Sequence, residues 1–387
     1  MLQNANLEIN EKNFFEVYMN NLDKEMKEMG HVNLVIAGKT GVGKSTLINA
    51  AFMENVAKTG IGKPITNEGD MKWFEKEGYP LRIYDTVGLE LDDEKRNNSI
   101  KQIKEQCDTS IKNQDPDKFV HVMWYCVSSD SDRLEQFEAD YINEIAEKVD
   151  VILVITKTYR KGHSKRLLQS ITEEYPDLDV KNKVYLLAQD ESIEDCDEGE
   201  TPIKAFGVSE LIEMTAEILP SAAQKAWCNA QKASIELKCK RAHNYVKAAA
   251  AASFGEGYIP LPFSDAAALV PTELAMLASI NTAFGIRISK DMLKSIVTSL
   301  VGVAGATFVG RTIVSNLLKF VPGVGTAMGG TISGATASLV TVALGEAYIV
   351  VMKKLVEGEI EEQDLDTEEV RNELQELFKD KLKKKNK

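Results

Sequence analysis

Cysteine is scarce and scattered in this chain. Five occur in 387 residues, at Cys107, Cys126, Cys196, Cys228 and Cys239, and no two form a C-x-x-C pair. The four histidines show no ligand spacing either. Together these absences exclude a disulfide scaffold and a structural zinc site, and they suit a reducing cytosol. No basic block is present: Lys+Arg total 46 against 59 Asp+Glu, for a net charge of -13. A general nucleic-acid binder needs clustered cations for phosphate contacts, so no nucleic-acid partner is expected. No serine lies in a G-x-S-x-G elbow, which removes support for acyl transfer. The first 30 residues are charged and amphipathic, so a signal peptide is not expected. The three tryptophans are dispersed, and Trp124, inside the apolar run Val122–Cys126, is expected in a sheet core.

Charge divides the chain. Residues 1–218 carry 26 basic and 42 acidic side chains, whereas 219–387 carry 20 and 17. Within 248–352 only 10 of 105 residues are charged, against 27% of the whole, so that stretch must be hidden from water. The expected domains are an N-terminal amphipathic helix within 1–30 that packs on a helical domain, an α/β domain over 31–218, and the α-helical domain over 219–387 with 248–352 as its low-charge core.

Short apolar runs at Val32–Ala37, Leu81–Thr86, Phe119–Val127, Val149–Thr156 and Val184–Ala188 alternate with polar helical segments. Such alternation predicts a mostly parallel sheet with helices on both faces. Met71–Gly78 is expected as an antiparallel edge strand, and acidic Asp190–Glu200 as a solvated loop. Beyond Pro220 a single long helix is expected from Ser221 to about Ala252, followed by apolar helices near 265–285, 290–319 and 331–356.

The strongest motif is Gly38-Lys39-Thr40-Gly41-Val42-Gly43-Lys44-Ser45-Thr46, between an expected strand and an expected helix. This is a G-x-x-x-x-G-K-[ST] phosphate loop in its proper context. Glycines let backbone N–H groups turn toward phosphate oxygens, and the helix N-terminus adds partial positive charge. Lys44 is assigned to the β- and γ-phosphates and Ser45 to Mg²⁺. Asp85-Thr86-Val87-Gly88 follows about 40 residues later, with Asp85 placed to hold Mg²⁺ and the Gly88 N–H to sense a γ-phosphate. Thr66, in Gly62–Thr66, is the candidate second Mg²⁺ ligand, with Thr59 as fallback. Lys44, Thr66 and Gly88 are the candidate catalytic residues.

These motifs resemble those of Era/TrmE/septin-type GTPases, and the wording GKTGVGKST also resembles plant Toc and animal immunity-associated GTPases. The segments 259–265, 269–285 and 313–325 resemble bacterial GTPases whose C-terminal Ala/Gly-rich helical domain has no assigned function. The resemblance implies a Ras-like P-loop GTPase domain with an all-α C-terminal domain, GTP/GDP and Mg²⁺ as ligands, and guanine specificity. It places Thr156-Lys157-Thr158-Tyr159 at the [NT]-K-x-D position, with Lys157 along the base, and Ala188-Gln189 at the fifth motif. Two departures stand out. Tyr159 replaces the carboxylate that pairs with guanine N–H groups, and Leu89 follows Gly88 where Ras-type enzymes carry a water-orienting glutamine.

In the low-charge region, 295–310 and 320–345 hold no charged residue. The second is long enough to span a bilayer, but Pro322 and a cluster of glycines crowd its first half. Gly302, Ala306 and Gly310 allow close helix packing, in lipid or in a soluble bundle. The function expected is a slowly hydrolysing GTP switch coupled to a helical effector domain, in the cytoplasm. The alternatives are a nucleotide-binding scaffold with little turnover and a membrane-contacting or remodelling GTPase. Expected partners are guanine nucleotide, a second copy or protein effector that completes the site, and, under the last alternative, a membrane surface.

Overall fold

The computed structural model describes residues 11–52, 74–75, 79–85, 93–195, 199–256, 261–262, 269–286, 288–289, 292–293, 296 and 331–384. The chain divides into two compact units, Met29–Ser234 and Met1–Glu28 with Ile235–Lys387.

The first unit is built on a six-stranded sheet. Its strands are β1 (Val32–Ala37), β2 (Phe74–Glu75), β3 (Leu81–Asp85), β4 (Val122–Ser128), β5 (Val151–Thr156) and β6 (Asn182–Tyr185). The order is β2-β3-β1-β4-β5-β6, with β2 antiparallel to β3 and every other pair parallel. Every residue of β1, β4 and β5 is buried. Continuous apolar runs, and not alternating ones, are what a sheet covered on both faces requires. On one face Val35, Met123 and Leu153 join Ile103 and Cys107 of α3 (Asp93–Lys112), Tyr141 and Ile142 of α4 (Gln136–Ala146), and Leu167 and Ile171 of α5 (Lys161–Glu174) in one core. The opposite face centres on Trp124. Its ring stacks on Phe52 at 5.9 Å and meets Trp227 edge-on at 5.7 Å. Its indole N–H donates to Thr215 Oγ1 (3.0 Å). These partners follow α2 (Lys44–Ala51) or lie on α6 (Val208–Ile218) and α7 (Ser221–Ala230).

Two sequence expectations change here. Asp190–Glu200 is not simply a loop: β7 (Glu191–Asp195) pairs antiparallel with β8 (Gly199–Ile203), bringing Ile193 opposite β-branched Thr201. The long helix expected from Ser221 is broken at 231–234. Gln231 is fully buried and brackets the turn, its Nε2 donating to Ser234 O (2.9 Å) and its Oε1 accepting Ser234 N–H (2.8 Å). The Lys232 N–H donates to Ala51 O (2.9 Å), so 219–234 lies in the sheet unit. Tertiary hydrogen bonds outweigh the Ala- and Lys-rich helical composition at this point.

The second unit contains α1 (Glu11–Lys27), α8 (Ile235–Glu256), α9 (Val270–Phe284), α10 (Gly334–Glu357) and α11 (Glu368–Lys384), numbered among the described elements. A short antiparallel pair, β9 (Leu261–Pro262) with β10 (Thr331–Ile332), accompanies them. α8 and α10 approach closely at Gly345, where an added Cβ would lie 2.5 Å from Val246 Cγ2. Several polar groups inside the unit satisfy one another. Asn281 donates to Tyr18 Oη and accepts from Tyr348 Oη (2.8 Å), tying α1, α9 and α10 together. Thr341 contacts Glu273 Oε1 and Ser253 Oγ, each at 2.9 Å. Fully buried Lys238 donates to the carbonyls of Ala283 (3.2 Å) and Phe284 (3.0 Å), a cation placed on the C-terminus of α9. α10 is long and apolar enough to cross a membrane, yet 61% of its most apolar window is buried. The segments 297–330, which hold the small-residue stripe and the Pro322 turn, lie outside the described residues.

Candidate functional site

The strand order reverses beside β1, whose neighbours β3 and β4 connect in opposite directions. Such a switch point opens a crevice at the carboxyl ends of the strands, where ligands of open α/β sheets sit. The loop Gly38–Gly43 leaves β1 at that point and α2 begins at Lys44. Gly38 has φ +131, and a Cβ there would stand 2.2 Å from Cys126 O of β4, so no side chain fits. Gly43 caps α2 with φ +99, a conformation glycine adopts without strain. The Lys44 ammonium donates to Gly38 O (2.9 Å) and Lys39 O (3.1 Å), holding it across its own loop. Ser45 is exposed in the first turn of α2, Thr46 is half-buried beside it, and Thr40 and Gly41 are exposed on the loop.

The β5 end is fastened to the same loop. Thr156 Oγ1 bonds to Val42 O and lies 3.1 Å from Val127 O, so one hydroxyl joins the phosphate loop, β4 and β5. Lys157 takes the left-handed conformation (φ +52), uncommon for a non-glycine residue. Its Cγ lies 3.8 Å from where a Cβ on Gly43 would be, so its stem runs beside the loop. Thr158 is fully buried; its N–H donates to Leu186 O (3.1 Å), joining this turn to the segment that carries Ala188 and Gln189. Ala188 is half-buried and Gln189 exposed. Gln189 Nε2 donates to Glu191 Oε1 (2.6 Å). Half-buried Tyr159 has its phenol pKa raised, first by desolvation and then by the nearby Glu191 and Asp130 carboxylates.

Asp85 ends β3 in register with Ile36, two residues before Gly38. Thr66, Gly88 and Leu89 lie outside the described residues, as does Thr59. The donors assigned to Mg²⁺, a hydroxyl at Ser45 and a carboxylate at Asp85, are hard oxygen ligands on elements flanking one crevice, which fits a cation completed by phosphates and water. Among the described residues no group of three or more His, Cys, Asp or Glu forms a self-sufficient metal site.

Glu138 escaped the sequence reading. It is 1% exposed, yet it carries a carboxylate. It accepts from Tyr125 Oη, Glu135 N–H and Lys39 Nζ, each at 3.0 Å. Burial and this neighbouring charge push the Tyr125 pKa well above its ordinary value. Lys39, on the phosphate loop, is thus directed to α4. Its ammonium and the Arg96 guanidinium of α3 both lie over the Phe137 ring, at 5.3 and 4.6 Å. The available signal was the pair Glu135 and Glu138 opening the apolar helix, which forms a capping box.

A phosphate-loop turn on a doubly covered parallel sheet, braced by the Thr156-Lys157 turn at the end of β5, has the fold of a P-loop GTPase domain. Residues 33–157 match the family model described as 50S ribosome-binding GTPase. Among curated proteins, the chain is 32% identical over 106 residues to magnetosome membrane protein 22 of Magnetospirillum gryphiswaldense, covering 27% of this chain and 52% of that protein. It is 26% identical over 220 residues to septin-2 of Rattus norvegicus (49% and 60%). Against neuronal-specific septin-3 of Danio rerio it is 25% identical over 158 residues (35% and 43%). The chain spans about half the length of these curated relatives. Among solved structures, the septin GTPase domain from Chlamydomonas reinhardtii aligns with a TM-score of 0.35 at 14% identity, covering 51% of this chain and 96% of that one. Cdc11 from Saccharomyces cerevisiae aligns at 0.29 and 22% identity (39% and 65%).

Proposed function

We propose that the protein is a guanine-nucleotide switch that binds GTP and GDP with Mg²⁺ and hydrolyses GTP slowly. The observation that carries this reading is the joining of the phosphate loop and the Thr156-Lys157 turn through one hydroxyl at the sheet's switch point. In this reading the backbone of Gly38–Thr46 surrounds the phosphates, and the Lys44 ammonium exchanges its two loop carbonyls for β- and γ-phosphate oxygens. Ser45, Asp85 and Thr66 hold Mg²⁺, which when bound neutralises charge shared by those phosphates. The Gly88 N–H senses the γ-phosphate. Lys157 lies along the base, and the Ala188-Gln189 segment supplies a backbone contact to it.

Leu89 favours the second reading, a nucleotide-binding scaffold with little turnover, because leucine cannot orient water. Under the switch reading a second copy or an effector supplies that function. The name of one relative, magnetosome membrane protein 22, favours contact with a membrane, and the burial of 61% of the most apolar window of α10 favours peripheral contact over insertion.

Titrating the full chain with fluorescent GTP, GDP and ATP, then following phosphate release, tests the proposal. Guanine nucleotides should bind at least tenfold more tightly than ATP, and dilute protein should turn over at about 10⁻⁴–10⁻² s⁻¹. Equal affinity for ATP and GTP would remove the guanine assignment. Undetectable hydrolysis with tight GTP binding would leave the scaffold reading standing.

A further inference from the structure

Resting on the guanine-nucleotide reading, we infer that Glu191, the first residue of the β7–β8 hairpin, supplies the carboxylate that reads the guanine edge. The turn Lys157–Tyr159 and the segment Leu186–Glu191 face each other across the Thr158 N–H to Leu186 O bond (3.1 Å). Tyr159, where a carboxylate would otherwise pair with guanine, is close enough to Glu191 for that charge to raise its phenol pKa.

Glu191 is also prepared for the task. It is half-buried, and Gln189 Nε2 holds its Oε1 at 2.6 Å, leaving Oε2 and the remaining lone pairs to accept other donors. The residue between them faces another way. Asp190 accepts the Ala205 N–H (2.8 Å) and the Lys204 ammonium (2.6 Å), so its carboxylate is spent on the base of the hairpin. The other acidic neighbour of Tyr159 is Asp130, whose Oδ2 lies 3.3 Å from Ser128 Oγ at the end of β4, on the side of β5 away from the Ala188-Gln189 segment. Of the two acidic neighbours of Tyr159, Glu191 alone therefore shares a segment with the residues assigned to the base. A carboxylate there accepts both the N1–H and the 2-amino N–H of guanine, a charge-assisted pair that tyrosine cannot form.

The chemistry offers a reciprocal test. Xanthine carries a carbonyl where guanine has its 2-amino group, so a carboxamide at position 191 would donate to xanthine and clash electrostatically with guanine. Affinities for GTP, XTP and ATP are measured on the full chain for the native protein, Glu191→Gln and Asp130→Asn, with thermal melting confirming that each variant folds. Glu191→Gln should weaken GTP by about 10- to 100-fold and strengthen XTP by at least tenfold, whereas Asp130→Asn should leave both unchanged. A GTP:XTP ratio in Glu191→Gln within twofold of the native ratio would overturn the assignment of Glu191, as would the switch appearing in Asp130→Asn instead. A native protein without preference for GTP over ATP would remove the guanine reading itself, a result distinguishable because it appears before any substitution is made.

Discussion

The two compact units bury their polar residues for opposite purposes. In the sheet unit the central strands β1, β4 and β5 are mostly apolar, and polar groups collect at their carboxyl ends, where Thr156, Lys157 and Lys44 organise a loop of left-handed glycines. In the helical unit polar side chains lie inside and bond to one another, as Tyr18, Asn281 and Tyr348 do, or cap a helix, as Lys238 does. Buried hydrogen-bonded networks specify which helices meet but leave few groups to face a ligand. Among the described residues of 248–352, low charge goes with helices buried against one another, while the acidic first unit keeps most of its charges on the surface around a hidden sheet.

Substitutions that strike one unit and spare the other test this contrast. The largest effect is expected from Lys44→Ala, which should weaken triphosphate binding by about 100-fold or more, on the order of 3 kcal/mol, without lowering the melting temperature. An unchanged dissociation constant would remove Lys44 from the phosphate site. Gly345→Val should act in reverse. Side-chain atoms here would collide with Val246 and Met276, destabilising the helical unit by about 1–3 kcal/mol in denaturant unfolding while nucleotide affinity holds. Loss of nucleotide affinity in that variant would show that the units are not energetically separable.

A smaller, pH-dependent effect should belong to the sheet unit alone. Half-buried His121 accepts the Asn33 N–H at Nδ1 (3.1 Å), and burial lowers its pKa to about 4. Between pH 6.5 and 4 the unfolded chain takes up a proton that the folded state refuses. Stability from this group is therefore complete above about 6.5 and declines as pH falls toward 4. After discounting for partial exposure the amount is about 2 kcal/mol. Unfolding curves across that range should slope for the native protein and flatten for His121→Gln; an equal slope in both would assign the acid sensitivity elsewhere.

The smallest response should come from lipid. With α10 mostly buried, the protein should stay in the supernatant with neutral vesicles, and the C-terminal lysines should add only salt-sensitive contact with anionic ones, about 1 kcal/mol per Lys near the surface. Co-flotation that survives high salt would mean that α10 leaves its bundle.

The phosphate loop was legible because its chemistry is local: a strand, six residues and a helix suffice to aim backbone N–H groups, whatever surrounds them. The parallel sheet was legible from unbroken apolar runs, since a strand covered on both faces has no polar side to alternate with, and its antiparallel edge from the closeness of Met71–Gly78 to the run that starts at Leu81. The break at Gln231 was not, because Ser221–Ala252 has good helical composition and the turn is fixed by the buried Gln231 side chain together with Ala51 and Phe52, far away in sequence. Glu138 was hidden for the same reason. A glutamate on a helix reads as surface until Lys39 and Tyr125 arrive from the phosphate loop and β4 to satisfy it. The hairpin beginning at Glu191 looked like a charged loop, since two short acidic strands carry little propensity apart from their pairing. Sequence alone determined the loop proposed to bind phosphate, because its conformation lies in one contiguous turn between a strand and a helix. Only tertiary structure decided which carboxylates stand beside that turn, because their positions depend on strands and helices brought together from distant parts of the chain.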